Sequence, residues 1–143
     1  MTTPADERLI AALQAEHAAI YAYGVAGAKL DSGTIGLARS ADAAHRSRRD
    51  ALVVRLSGAG VTPPPAAPAY ALPFPVTDRA SALKLLALVE DRTAAQWRLA
   101  LAPTAGEVRK LALDALVDCA ARGAGLRQVA GTTPLTSAFP GKA

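Results

Sequence analysis

Six of the chain's ten prolines lie between Pro63 and Pro75, near the middle of the 143-residue sequence. Proline lacks a backbone N–H and clashes with the preceding helical turn, so no regular helix crosses this segment. Ala- and Leu-rich stretches lie on both sides of it, with apolar residues at the three- and four-residue steps of an amphipathic helix. The sequence therefore predicts two helical pairs that are joined by one long extended connection.

Start and stop signals place four helices at about 4–30, 34–57, 78–102 and 105–122. Thr3-Pro4 marks the first start, and the capping-box pattern Thr104-Ala-Gly-Glu107 marks the last. Pro103 ends the third helix, and Gly123 is a candidate stop for the fourth. The remaining parts of a single domain of residues 1–143 are a Pro-rich crossover at 58–77 and an irregular tail at 123–143.

The crossover determines the topology. Short turns make consecutive helices antiparallel, whereas a long connection allows the second and third helices to lie parallel, as in a one-crossover bundle. Tyr70, Leu72 and Phe74 alternate along the crossover. We therefore expect an ordered segment that packs along the bundle, rather than a flexible linker.

Composition limits the remaining classes of protein. The chain is 51% hydrophobic and contains one cysteine, so a packed core is expected, but neither a disulfide framework nor a multi-cysteine zinc site. Its N-terminal sequence lacks the pattern of a signal peptide, and no apolar run is long enough to span a membrane. These features predict a soluble, cytoplasmic, all-α protein.

Ionisable residues interrupt the predicted apolar seam of every helix at a similar depth, about a dozen residues from its start. A buried charge is costly unless it is paired or binds a metal. The sequence therefore predicts a central polar layer, whose members are Glu16, Asp42, His45, Arg49, Glu90, Asp118 and Arg122.

Several residues next to this layer in the sequence could have a functional or a structural role. Tyr21 and Tyr23 could form a hydrogen-bonding or redox-active shell around a metal, although core filling is the simpler expectation. His17 follows Glu16 but points about 100° away, so we expect it on the outer face. We expect Cys119 to be a small buried apolar residue and Trp97 to be a core anchor.

The chain resembles a small bacterial ferritin-like family of unknown function. The resemblance is carried by Glu16-His17-Ala18-Ala19-Ile20-Tyr21, Ala44-His45-Arg46, Tyr70-Ala-Leu-Pro73-Phe74-Pro75 and Leu88-Val89-Glu90-Asp91. It covers roughly residues 6 to 130. It implies a ferritin-like four-helix bundle with the long crossover between the second and third helices.

Ferritin-like di-iron proteins use one Glu from each of two helices and a Glu-x-x-His motif from each of the others. Glu16 and Glu90 match the single carboxylates, and Asp42-Ala-Ala-His45 resembles the motif with a shorter acid. The fourth helix departs from the pattern, because Asp118-Cys-Ala-Ala121 has no histidine at the required offset. Arg49 and Arg122 add guanidinium groups, which repel metals.

We therefore expect an incomplete di-iron site, with no cofactor and no catalysis, in which the polar layer forms an ionic network. The alternative is an iron or manganese site held by Glu16, His45 and Glu90, in a metal-binding protein or di-iron-type oxidoreductase.

The partners are less constrained than the fold. A net charge of +4 and an arginine-rich second helix permit a basic protein- or RNA-binding module, but no aromatic residues are interleaved with the arginines. Nucleic-acid binding is therefore the lesser alternative. Small residues on the outer helix faces would allow a homodimer.

Overall fold

The computed structural model describes residues 2–142; the two ends of the predicted domain, Met1 and Ala143, lie outside the described residues. It contains four helices: α1 (Pro4–Gly27), α2 (Ile35–Gly58), α3 (Arg79–Leu101) and α4 (Gly106–Ala130). No strand occurs within residues 2–142, which confirms the all-α prediction. No helix in the described part of the chain is both long and apolar enough to cross a membrane.

The helix ends differ from prediction in three places. α1 ends at Gly27, three residues early, and α4 continues to Ala130, eight residues beyond the predicted end. Of the predicted irregular tail, the described part that is in fact irregular begins after Gly131. Gly131 is the C-cap residue of α4 and has a left-handed conformation, with φ 72°. The predicted Thr104 capping box does not form, because the Thr104 hydroxyl donates to the Ala100 carbonyl and Ala105 is the N-cap residue.

Two apolar clusters show how the helices run. One joins the N-terminal half of α1 and α4 to the C-terminal half of α2 and α3, and includes Leu13, Leu52, Trp97 and Leu116. The other joins the opposite halves and includes Tyr23, Ala41, Leu86 and Leu126. α2 and α3 therefore start at the same end of the bundle and lie parallel, as the one-crossover topology requires.

The crossover is ordered along the bundle. Val61 packs against the first cluster, and Leu72, Phe74 and Val76 pack against the second. In between, the His17 ring donates a hydrogen bond from Nε2 to the Pro64 carbonyl at 3.0 Å. His17 thus points away from the polar layer, as expected of an outer-face residue, but the crossover covers it and leaves it only 8% exposed.

Candidate functional site

Three ionisable side chains from three helices meet between the two apolar clusters. Glu16 of α1, His45 of α2 and Glu90 of α3 are each fully buried. His45 Nδ1 lies 2.6 Å from Glu16 Oε2, and His45 Nε2 lies 2.8 Å from Glu90 Oε1. The imidazole is therefore held between two carboxylates, at the depth where the sequence places the polar layer.

The two carboxylates favour the protonated form of His45, although Arg48 Nη2 also lies 3.1 Å from His45 Nδ1. Each ring nitrogen faces a carboxylate oxygen, and both nitrogens can donate only in the imidazolium form. Burial alone lowers the pKa of His45, but the hydrogen bonds to Glu16 and Glu90 and their negative charges outweigh it and raise the pKa to about 9. His45 is therefore a buried cation at neutral pH.

Glu16 accepts hydrogen bonds from three side chains. Its Oε1 accepts from Trp97 Nε1 at 2.7 Å and from Arg48 Nε at 2.9 Å, while its Oε2 accepts from His45. Burial acts to raise the pKa of Glu16, but the His45 hydrogen bond and the nearby positive charges of His45 and Arg48 lower it overall. Glu16 is therefore held as a carboxylate. Trp97 is both a core anchor and a hydrogen-bond donor to the layer.

Glu90 is less completely bonded. Its Oε1 accepts from the Tyr23 hydroxyl at 2.6 Å and from His45, whereas its buried Oε2 has no hydrogen-bond partner among the described residues. Burial and the Glu90 charge raise the pKa values of both the Tyr23 hydroxyl and the Cys119 thiol. Tyr23 and Cys119 therefore stay protonated beside Glu90, as neutral members of the layer.

The open side of the layer lies between α2 and α4. The Arg48 guanidinium spans it, donating to Glu16 and also, from Nη1, to Asp118 at 2.7 Å. Asp118 accepts in turn from Arg122 Nε at 2.8 Å, and its side chain is 35% exposed. The solvent-facing edge of the network is thus a chain of two arginines and one carboxylate.

Two predicted members lie outside this network. Arg49 pairs with Asp50 at the surface, and Asp42 pairs with Arg46 one helical turn along α2. Their predicted places are taken by Arg48 and Ala41, the residues one position earlier in the sequence. Positions three and four residues from His45 both lie near its face of the helix, so periodicity alone does not separate Arg48 from Arg49.

The two tyrosines also separate. Tyr23 contacts the layer through Glu90, but Tyr21 lies on the other side of α1, where its ring stacks at a tilt on Tyr70 of the crossover, 5.6 Å between centroids. Tyr21 therefore secures the crossover and is no part of the network. The structure thus brings Glu16, His45, Glu90, Asp118 and Arg122 together with Tyr23, the shell residue expected beside them, and adds Arg48, Trp97 and Cys119.

The side chains of the layer differ in two ways from the di-iron ligand set that the resemblance implies. A ligating histidine must present an unprotonated nitrogen, yet each nitrogen of His45 lies within hydrogen-bond distance of a carboxylate oxygen, and these carboxylates raise the pKa of His45 to about 9. The Arg48 guanidinium fills the side of the layer that faces α4 and donates to Glu16. No group of three His, Cys, Asp or Glu side chains within residues 2–142 is arranged to hold a metal ion. The formal charges already cancel, because three carboxylates face three cations: His45, Arg48 and Arg122.

The comparisons with known proteins give a family and a fold. The family described as "Domain of unknown function (DUF4439)" matches residues 8–143. The chain is also similar to a conserved hypothetical protein, rv2844, from Mycobacterium tuberculosis, whose crystal structure covers 96% of this chain and 97% of its own at 37% identity, with a TM-score of 0.87. A search of curated proteins found no match.

Proposed function

This chain belongs to the DUF4439 family of domains of unknown function, and we propose that it is a non-catalytic structural or binding protein built on a ferritin-like bundle. In this proposal, an ionic network takes the place of a di-iron centre in the middle of the bundle. The whole protein is then a stable scaffold, and its functional contacts are made by its surfaces.

The observation that carries the proposal is the pair of hydrogen bonds from one buried imidazolium to Glu16 and Glu90. A metal bound at this place would have to displace a proton from His45 and separate it from both carboxylates. Removal of the proton from His45 alone opposes metal binding, because the neighbouring carboxylates raise the pKa of His45 to about 9. Arg48 adds a second obstacle, since its charge lies within hydrogen-bond distance of Glu16.

One observation favours the alternative of a metal-binding protein or metal-dependent oxidoreductase. Glu90 Oε2 is buried without a hydrogen-bond partner in residues 2–142, and buried polar atoms of this kind are uncommon. A metal ligated by Glu16, His45 and Glu90 would satisfy it. Iron and manganese are the ions that suit this mixture of carboxylate and imidazole donors.

The third hypothesis, a basic protein- or RNA-binding surface on α2, gains less support. Arg48 turns inward, and Arg46 and Arg49 are paired with Asp42 and Asp50. Such pairing lowers the positive charge that α2 offers to a phosphate backbone. The homodimer and the cytoplasmic location stay predictions.

Elemental analysis separates the first two hypotheses. The protein should be purified without an affinity tag, incubated with Fe²⁺ or Mn²⁺ under anaerobic conditions, desalted and measured for metal per chain. We expect a substoichiometric amount, equal in wild type, Glu90→Ala and the control Glu107→Ala, in which an exposed carboxylate is removed. One metal per chain that is lost in Glu90→Ala and kept in Glu107→Ala would refute the proposal.

A further inference from the structure

A groove of about 670 Å³ lies on the other side of α3 and α4, between these helices and the tail that follows Gly131. It shares no residue with the polar layer. Its floor consists of small side chains from both helices: Ala94, Ala95, Ala120, Ala121 and Ala124. Pockets for small organic ligands have volumes of this order and are lined mostly by apolar atoms. The alanines leave room where larger side chains would fill the space.

The tail forms the opposite wall, and specific contacts hold it there. Arg98 donates to the Pro140 carbonyl, and Arg127 donates to the Leu135 carbonyl. Gly141 approaches the α3 backbone so closely that a Cβ atom at this position would lie 2.7 Å from the Ala94 carbonyl oxygen. Its φ of +77° also disfavours any other residue. The tail, most of whose side chains are exposed, is therefore held to the helices at Leu135, Pro140 and Gly141.

Charge and hydroxyl groups are distributed unevenly around this groove. Three cationic side chains line it, Arg92, Arg127 and Lys142, against one carboxylate, Asp91. Arg127 and Asp91 are paired with each other, so Arg92 and Lys142 are the lining cations outside that ion pair, and the Lys142 ammonium lies over the Phe139 ring. The tail adds a row of hydroxyl groups from Thr132, Thr133, Thr136 and Ser137. Cations and hydroxyls together are the usual partners of a carboxylate, sulfonate or phosphate group.

We propose that this groove, which we call the tail groove, binds a small organic anion that has an apolar body. The body would lie on the alanine floor, and the anionic group would face Arg92, Lys142 and the tail hydroxyls. An inorganic anion would leave the floor uncovered, and a neutral apolar molecule would leave the excess positive charge unused. This inference does not depend on the proposed function, because it concerns a different face of the bundle.

The test uses the full chain and two fluorescent probes of similar shape, anilinonaphthalene sulfonate and its uncharged relative phenylnaphthylamine. We expect saturable binding of the sulfonate at one site, weakened by added salt, because its anionic group contacts surface cations. We expect phenylnaphthylamine to bind more weakly. Arg92→Gln should weaken sulfonate binding about three- to fivefold and leave the neutral probe unchanged, a loss of order 1 kcal/mol for a partly exposed charge contact. Arg39→Gln on α2 is the matched control.

Two further variants test the walls. Ala124→Trp fills the floor, and Ala51→Trp places the same side chain at an exposed position of α2. Gly141→Ala should release the tail, and its control is Gly60→Ala, another glycine with positive φ but with open space around it. We expect roughly tenfold weaker sulfonate binding in Ala124→Trp and Gly141→Ala, and wild-type binding in both controls.

Three outcomes would overturn the proposal. The first is no saturable binding of the sulfonate to wild type. The second is equal loss of binding in Ala124→Trp and Ala51→Trp, which would place the probe elsewhere. The third is equal affinity for the charged and neutral probes, which would show an apolar groove without anion selectivity. Thermal unfolding of each variant checks that it is folded.

Discussion

Replacing His45 by glutamine removes a single positive charge from the centre of the bundle. Glu16 and Glu90, both fully buried, then face a neutral side chain, and the formal charge of the layer changes from zero to negative. Removing one partner of a buried ion pair costs about 3–5 kcal/mol, because the remaining charge is left without compensation. At about 3 °C per kcal/mol for a domain of this size, we expect Tm to fall by about 10–15 °C.

The expected loss depends on pH, and the pKa of His45 gives the direction. It rises from 6.5 in the unfolded chain to about 9 in the folded protein, which corresponds to roughly 3 kcal/mol. A raised pKa stabilises the folded state fully below pH 6.5, and this contribution disappears as the pH rises through about 9. The stability difference between wild type and His45→Gln should therefore be largest near pH 6 and shrink by about pH 10.

Other titrating or charged groups face His45 from each of the helices around it. They are Glu16 and Tyr23 from α1, Arg48 from α2 and Glu90 from α3, and Cys119 of α4 lies behind Arg48. The double difference between two proteins at two pH values cancels titrations that do not involve His45. It retains the part of each group's titration that couples to the imidazolium.

The assay is urea unfolding followed by circular dichroism at pH 6, 8 and 10, with His17→Gln as the matched control. His17 is the only other histidine and makes one hydrogen bond, to the Pro64 carbonyl, and no ion pair within residues 2–142, so its loss should cost about 1 kcal/mol. A loss below 1 kcal/mol in His45→Gln at pH 6 would refute the buried ionic network. So would a larger loss that stays constant up to pH 10.

Two other substitutions test the assignments around His45. Arg48→Gln should destabilise the protein by about 3 kcal/mol, because Glu16 and Asp118 lose their shared cation, whereas Arg49→Gln should change the free energy of unfolding by less than about 0.5 kcal/mol. Equal effects in urea unfolding would contradict the placement of Arg48. Tyr23→Phe should cost about 1–3 kcal/mol, because it removes a donor from the buried Glu90 carboxylate, and an unchanged Tm would show that this hydrogen bond is absent in solution.

The depth of the polar layer could be predicted from the sequence, but its exact register on α2 could not. Ala38, His45, Leu52 and Leu56 lie on the buried face under either assignment. The choice between Arg48 and Arg49 depends on where the carboxylates of other helices lie. Arg48 can reach Glu16 of α1 and Asp118 of α4 together, and only the assembled bundle shows this.

The predicted end of α4 was wrong for a related reason. Gly123 was a sequence signal for a helix stop, yet it lies buried inside α4. A Cβ atom at this position would lie 3.6 Å from the Glu90 Cβ and 3.1 Å from a terminal nitrogen of Arg127. Gly123 thus lies on the face of α4 that contacts α3 beside the polar layer. Such a packing role and a stop signal look identical in a single sequence.

Under the proposed function, the cations of the central layer take over the charge balance that a metal would otherwise supply. In di-iron bundles, the positive charge that compensates the buried carboxylates comes from ions, so the charge balance depends on metal supply. Here it comes from His45, Arg48 and Arg122, which are covalently part of the chain. If the proposed function is right, the folded state needs no metal, and its stability responds to pH through His45 instead. A chelator should then leave Tm unchanged, whereas a shift from pH 6 to pH 10 should lower it in wild type more than in His45→Gln.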